Sequence, residues 1–212
     1  LKMLAELPGG GQRDSLIHRA VTASGFLDAV VESGQLESLL QHVDAIEHEG
    51  VRRSALASVF GSPTVLVALA RREQLQIVFD RIEKEQDSSL TQRCLQTLVY
   101  NPLGRPILAD GKIADQFVTL LKHTDESQRV GFLRMFANNS SLRQAWVAAG
   151  KVSQLQELAA LFPLASDRTR LQRQILYTPA GVFGHLVASG KLAEAEQLLR
   201  ECGREVLRLL GC

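Results

Sequence analysis

NPLGRPILADGKIADQFVTLLKHTDESQRVGFLRMFANN, residues 101–139, contains the plan of the fold. Asn101 is an N-cap residue type, and Pro102 behind it suits a first helical position, where its missing N–H has no intrahelical partner. Leu103, Ile107 and Leu108 then fall on one helical face. Gly111 suits the left-handed residue that closes a helix and lets the chain leave at an angle. Ile113 and Leu120 mark the apolar face of a second helix, a polar loop follows, and SQRVGFLRMF reads as a third amphipathic helix. At Asn139 the pattern starts again.

Working outward, the same arrangement recurs in FLDAVVESGQLESLL (26–40), VLVALARREQLQIVF (65–79), LRQAWVAAGKVSQLQ (142–156) and VFGHLVASGKLAEAEQLL (182–199). The turn marker falls at Gly34, Glu73, Gly111, Gly150 and Gly190, a period of about 39 residues. Four residues before the marker stand Val30, Leu69, Ile107, Trp146 and Leu186; three before it, Val31, Ala70, Leu108, Val147 and Val187. Eight before it come Phe26, Val65, Leu103, Leu142 and Val182. Two after it are Leu36, Leu75, Ile113, Val152 and Leu192, and nine after it Val43, Ile82, Leu120, Ala159 and Leu199. Every column is apolar, as a face packed on a neighbouring helix requires. Glu73 occupies a glycine position, so the second junction is expected to differ. Ser24, Ser62, Asn101, Asn139 and Thr178 are all expected to be N-caps.

The predicted fold class is all-α: a right-handed α-solenoid of about five three-helix units. These run over 24–61, 62–100, 101–138, 139–177 and 178–212, with a partial unit at 1–23, forming one domain over 1–212. A chain that opens inside a unit is expected to be an excerpt of a longer solenoid.

This layout resembles the armadillo repeat, with the HEAT repeat close by, and the likeness spans nearly the whole chain. The resemblance implies a non-catalytic interaction scaffold whose third helices line a concave groove. Asparagines that grip a peptide backbone there in typical armadillo proteins are not carried over: those positions hold Leu98, Ala137 and Tyr177.

A binding face is expected on the third helices, because solenoids bind along successive equivalent helices. Five residues before each cap stand Arg19, Ala57, Gln96, Arg134 and Arg173; eight before, Leu16, Ser54, Arg93, Gly131 and Arg170; one before, Ala23, Gly61, Tyr100, Asn138 and Tyr177. The candidate contact residues are therefore Arg19, Arg93, Gln96, Tyr100, Arg134, Asn138, Arg170, Arg173 and Tyr177. Ten of the eighteen arginines belong to third helices, including Arg13, Arg52, Arg53, Arg129 and Arg168, while Glu37, Asp44, Glu47, Asp80, Glu83, Glu157, Glu194 and Glu196 belong to second helices and their ends. A basic inner face of fixed guanidinium groups favours carboxylates or phosphates. The expected partner is a protein or peptide with an acidic or extended segment.

Composition sets limits. The chain has 212 residues, 45% hydrophobic and 22% charged, and a formal net charge of +1. With only six lysines, nucleic acid is not the favoured partner, although a nucleic-acid-binding solenoid using the same arginines is the alternative. A regulatory segment of a larger enzyme is a third reading. No run approaches the ~18 apolar residues of a membrane span, and no signal peptide is visible. Cys94, Cys202 and Cys212 suggest no disulfide framework, so a reducing, cytoplasmic compartment is expected. No nucleotide-binding loop, HExxH or CxxC pattern occurs. His42 and His48, six residues apart, do not share a helical face, and neither metal nor cofactor is expected. Cys94 and Trp146 read as core residues. The protein is not expected to be an enzyme.

Overall fold

In a computed structural model, the chain is described over residues 10–209 for the backbone and 10–200 for side chains. Most of the partial first unit's opening segment, and the side chains of Cys202 and Cys212, lie outside these residues. Among the described residues the fold is all-helical, with no strand. The helices are α1 (Gly11–Thr22), α2 (Phe26–Glu32), α3 (Leu36–Asp44), α4 (Glu49–Phe60), α5 (Pro63–Arg71), α6 (Gln76–Glu85), α7 (Ser88–Tyr100), α8 (Arg105–Ala109), α9 (Ala114–Lys122), α10 (Glu126–Asn138), α11 (Ser140–Ala148), α12 (Val152–Ala160), α13 (Ala165–Tyr177), α14 (Val182–Ala188) and α15 (Leu192–Leu209). They group into two compact units divided between Ile107 and Leu108.

The turn marker has one backbone conformation throughout. Gly34, Gly111, Gly150 and Gly190 have φ of 71°, 75°, 73° and 74°. At Gly34 and Gly150 the closure is double. The marker's N–H reaches the carbonyl three residues back, and the next N–H reaches the carbonyl five back: Gln35 to Val30 at 3.0 Å and Lys151 to Trp146 at 2.8 Å. This is the Schellman closure, which satisfies carbonyls left open at a helix end. The expectation of a different second junction fails. Glu73 itself adopts φ 59°, and Gln74 N–H reaches Leu69 O at 2.9 Å. The geometry of the closure overrides the residue's preference.

The caps hold at two of five positions. Ser62 and Asn139 accept from the N–H groups of Val65 and Leu142, at 3.4 and 3.1 Å. Asn101 instead accepts from Leu103 N–H at 2.9 Å, closing a turn, and the helix starts only at Arg105. Leu103 is consequently 54% exposed rather than in the core. Ser24 is displaced by Gly25 at the N-cap of α2, and the Thr178 hydroxyl donates back to Gln174 O at 2.7 Å.

In the first unit α1, α4 and α7 lie side by side, and α2 packs on α5. Ile17, Val21, Leu56, Val59, Phe60, Cys94, Leu95, Leu98 and Val99 are buried between them. In the second unit α9 packs on α12 and α11 on α14, whereas α10 and α13 approach less closely. Its core centres on Trp146, whose ring centroid lies 4.7 Å from Phe136 and 6.0 Å from Phe117 in edge-to-face arrangements. Such pairs contribute about 0.5–1.5 kcal/mol each beyond their burial. Most column residues of the central copies are buried, Leu103 being the exposed exception, but those of the last copy are not. There, Val187, Leu192 and Leu199 are exposed, and among the described residues no further helix lies over them.

Candidate functional site

The nine candidate residues fall on four helices: Arg19 on α1, Arg93, Gln96 and Tyr100 on α7, Arg134 and Asn138 on α10, and Arg170, Arg173 and Tyr177 on α13. All are exposed except Tyr177, which is half-buried. Ala57, in the same register, is buried, so the polar face is interrupted on α4.

In the first unit Arg93 and Gln96 come together with Thr97, with Ser58 and Gly61 at the end of α4, and with Thr22 on α1. They line an open depression of about 520 Å³. Gly61 explains the close approach. A Cβ there would stand 2.6 Å from Ala57 O and 3.2 Å from the Cβ of Arg93, and the Thr97 hydroxyl donates to Gly61 O at 2.7 Å. Arg19 and Tyr100 do not line this depression.

In the second unit Arg170, Arg173, Gln174 and Tyr177 line an open depression along α13 with Ser166 and Thr169. Its walls all come from one helix and the residue that follows, so it is an exposed face rather than an enclosed cavity. Arg134 reaches this region through Asp167, whose carboxylate lies 3.7 Å from Arg134 and 3.4 Å from Arg170. Asp167 was missed by the sequence reading. Its only visible signal is the spacing of three to Arg170 on a helix, a normal ion-pair distance.

The arginines sort into two groups once their partners are known. Arg52 and Arg53 are held by the buried carboxylate of Glu85, at 3.1 and 3.6 Å. Arg105, Arg143 and Arg168 each donate to a carbonyl six residues earlier, those of Val99, Ala137 and Phe162. Arg105 and Arg143 tie down the open end of the preceding helix, and Arg168 the turn that follows α12. Arg143 does so from a buried position, where desolvation lowers its pKa. Arg129 reaches Lys122 O at 3.4 Å. Among the described residues, Arg19, Arg93 and Arg173 alone of the candidate arginines carry charge with no hydrogen-bond or ion-pair partner. Of the third-helix arginines, Arg52, Arg53, Arg129 and Arg168 are thus engaged within the fold, which leaves few cations available on these helices.

Among the described residues no three His, Cys, Asp or Glu side chains are grouped as metal ligands. Cys94 is fully buried, and burial pushes its thiol pKa up to about 12. His18 bonds Ser54 at 2.9 Å, and His48 caps α4 by accepting from Val51 N–H at 3.4 Å. No single described helix is long and apolar enough to cross a membrane. Comparison with family models, with curated proteins and with solved structures finds no match to this chain.

Proposed function

We propose that the chain is an armadillo-like α-solenoid of about five three-helix units that serves as a non-catalytic interaction scaffold, binding an acidic or extended protein segment along its third helices. Support for the architecture comes from the left-handed marker recurring every 38–40 residues and from the packing of like helices, α1 on α4 on α7 and α11 on α14.

The observation that carries the binding reading is the depression across α1, α4 and α7, edged by Arg93 and Gln96. Among the described residues no acid neutralises Arg93, and an uncommitted guanidinium beside polar side chains favours a carboxylate brought by a partner. The test is fluorescence anisotropy with a labelled peptide of alternating Glu and Ala, against the wild type, Arg93→Glu and Arg173→Glu. Reversal at either arginine is expected to weaken binding at least tenfold. Unchanged affinity in both variants would remove the scaffold face. Tighter binding of a single-stranded DNA oligonucleotide, with affinity falling steeply as salt rises, would favour the nucleic-acid reading instead.

A further inference from the structure

The depression between α1, α4 and α7 has a polarity that its single arginine does not convey. Three hydroxyls line it, one from each helix, and each has already committed its proton. Thr22 donates to His18 O at 2.9 Å, Ser58 to Ser54 O at 3.0 Å, and Thr97 to Gly61 O at 2.7 Å. A hydroxyl has one proton and two lone pairs, so what these groups offer outward is acceptor capacity. Gln96 adds an amide that both donates and accepts. Arg93 supplies the only formal charge in the lining.

We infer that this depression is a subsite for one acidic side chain together with the backbone N–H groups that flank it, and that it selects carboxylate in a peptide over phosphate. The inference rests on the scaffold reading and narrows it. A carboxylate takes the Arg93 fork, while neighbouring peptide N–H groups meet the lone pairs of Thr22, Ser58 and Thr97. Phosphate brings acceptors almost exclusively. To satisfy it, each hydroxyl must rotate its proton off a backbone carbonyl, giving up an existing hydrogen bond for every new one. Gly61 leaves no side chain beneath Arg93, and the depression, about 520 Å³ and open to solvent, leaves room for an extended peptide segment to lie across it.

The experiment is an amide-resolved NMR titration of the whole 212-residue chain with three probes: acetyl-Ala-Ala-Glu-Ala-Ala-amide, the same peptide N-methylated at Glu and the following Ala, and inorganic phosphate. The unmodified peptide is expected to shift the amides of Thr22, Ser58, Gly61, Arg93 and Gln96. N-methylation is expected to weaken it at least fivefold, and phosphate to bind at least tenfold more weakly. Arg93→Gln, which leaves the buried residues of α7 untouched, is expected to abolish the response while the thermal midpoint stays unchanged. Phosphate binding as tightly as the peptide, or indifference to N-methylation, overturns the subsite. Peptide shifts confined to α13 would overturn it while leaving the scaffold reading standing. Absence of shifts anywhere, even with the longer alternating Glu/Ala peptide, defeats both.

Discussion

The indole N–H of Trp146 donates to the backbone carbonyl of Leu108 at 2.6 Å, joining α11 to α8 through residues 38 apart in sequence. Trp146 is fully buried and touches both Phe117 and Phe136. Trp146→Phe keeps an aromatic ring but removes the donor, stranding a buried carbonyl at a cost of about 1–3 kcal/mol. The smaller ring also leaves a void, so a total loss of about 2–4 kcal/mol is expected. Urea unfolding followed by far-ultraviolet circular dichroism measures it. A loss below 1 kcal/mol would show that the bond contributes little.

The turn markers give a graded series. Gly150→Ala meets no atom within 4 Å, so its cost is purely the positive φ of 73°, about 1 kcal/mol. Gly111→Ala carries the same backbone cost and also brings its Cβ to 3.1 Å from that of Ala149, so it should lose more. Glu73→Gly runs the other way. It relieves a non-glycine residue at φ 59°, a backbone gain of about 1 kcal/mol that the lost side-chain interaction of Glu73 offsets only in part. Thermal midpoints ordered Glu73→Gly, wild type, Gly150→Ala, Gly111→Ala from highest to lowest confirm the series.

The period, the markers and most of the core columns are legible in sequence because each depends on chemistry within one helix or one turn. The misread caps show where that stops. Asn101-Pro-Leu-Gly104 and Thr178-Pro-Ala-Gly181 carry a glycine three residues after the cap, which Ser62-Pro-Thr-Val65 lacks. A Cβ on Gly104 would stand 2.0 Å from Thr97 O, and one on Gly181 2.2 Å from Ile175 O. Both segments therefore fold against the preceding third helix before the next helix starts. That glycine was the available signal. The pairing of Arg134 with Asp167 left none, since it depends on how α10 approaches α13, which no periodicity within either helix encodes.

Cys94 should behave as a reporter of opening rather than as a nucleophile. With its pKa pushed up to about 12 by burial, almost none of it is thiolate at neutral pH, and the reagent has no access either. In a Cys202→Ser, Cys212→Ser background, alkylation by iodoacetamide at pH 8 should be slower than for a free thiol by three orders of magnitude or more. Rapid labelling without denaturant would contradict the packing of α7.

His42 links stability to pH. Desolvation, and then the nearby Arg13, lower its pKa below the usual 6.5, and Arg13 approaches Nδ1 at 3.4 Å. The unfolded chain therefore binds this proton first as pH falls. The contribution is fully present above about 6.5 and is lost as pH drops through the folded value. The difference in unfolding free energy between wild type and His42→Gln should thus shift against the wild type from pH 7.5 to pH 5. A difference independent of pH would mean that the ring is not desolvated.

Asp167 pairs with two of the arginines exposed on the second unit, Arg134 and Arg170. Its carboxylate is largely buried at 16% exposure, yet both arginines that it contacts are more than half exposed. Pairs of this kind are worth only about 0–1 kcal/mol each, so they dampen the face without closing it. Asp167→Asn keeps the shape of the side chain and removes the charge, returning Arg134 and Arg170 to the solvent-facing set with Arg173. Affinity for the labelled alternating Glu/Ala peptide should rise about three- to tenfold, the equivalent of about 0.7–1.4 kcal/mol. The price in stability should stay within about 1 kcal/mol, because the acid also faces the first turn of α13, where a negative charge is favourable. In an Arg134→Gln background the gain should shrink, since one of the two released cations is already gone. A gain of the same size there would assign the effect to Arg170 alone, and no gain in either background would exclude this face from binding the peptide.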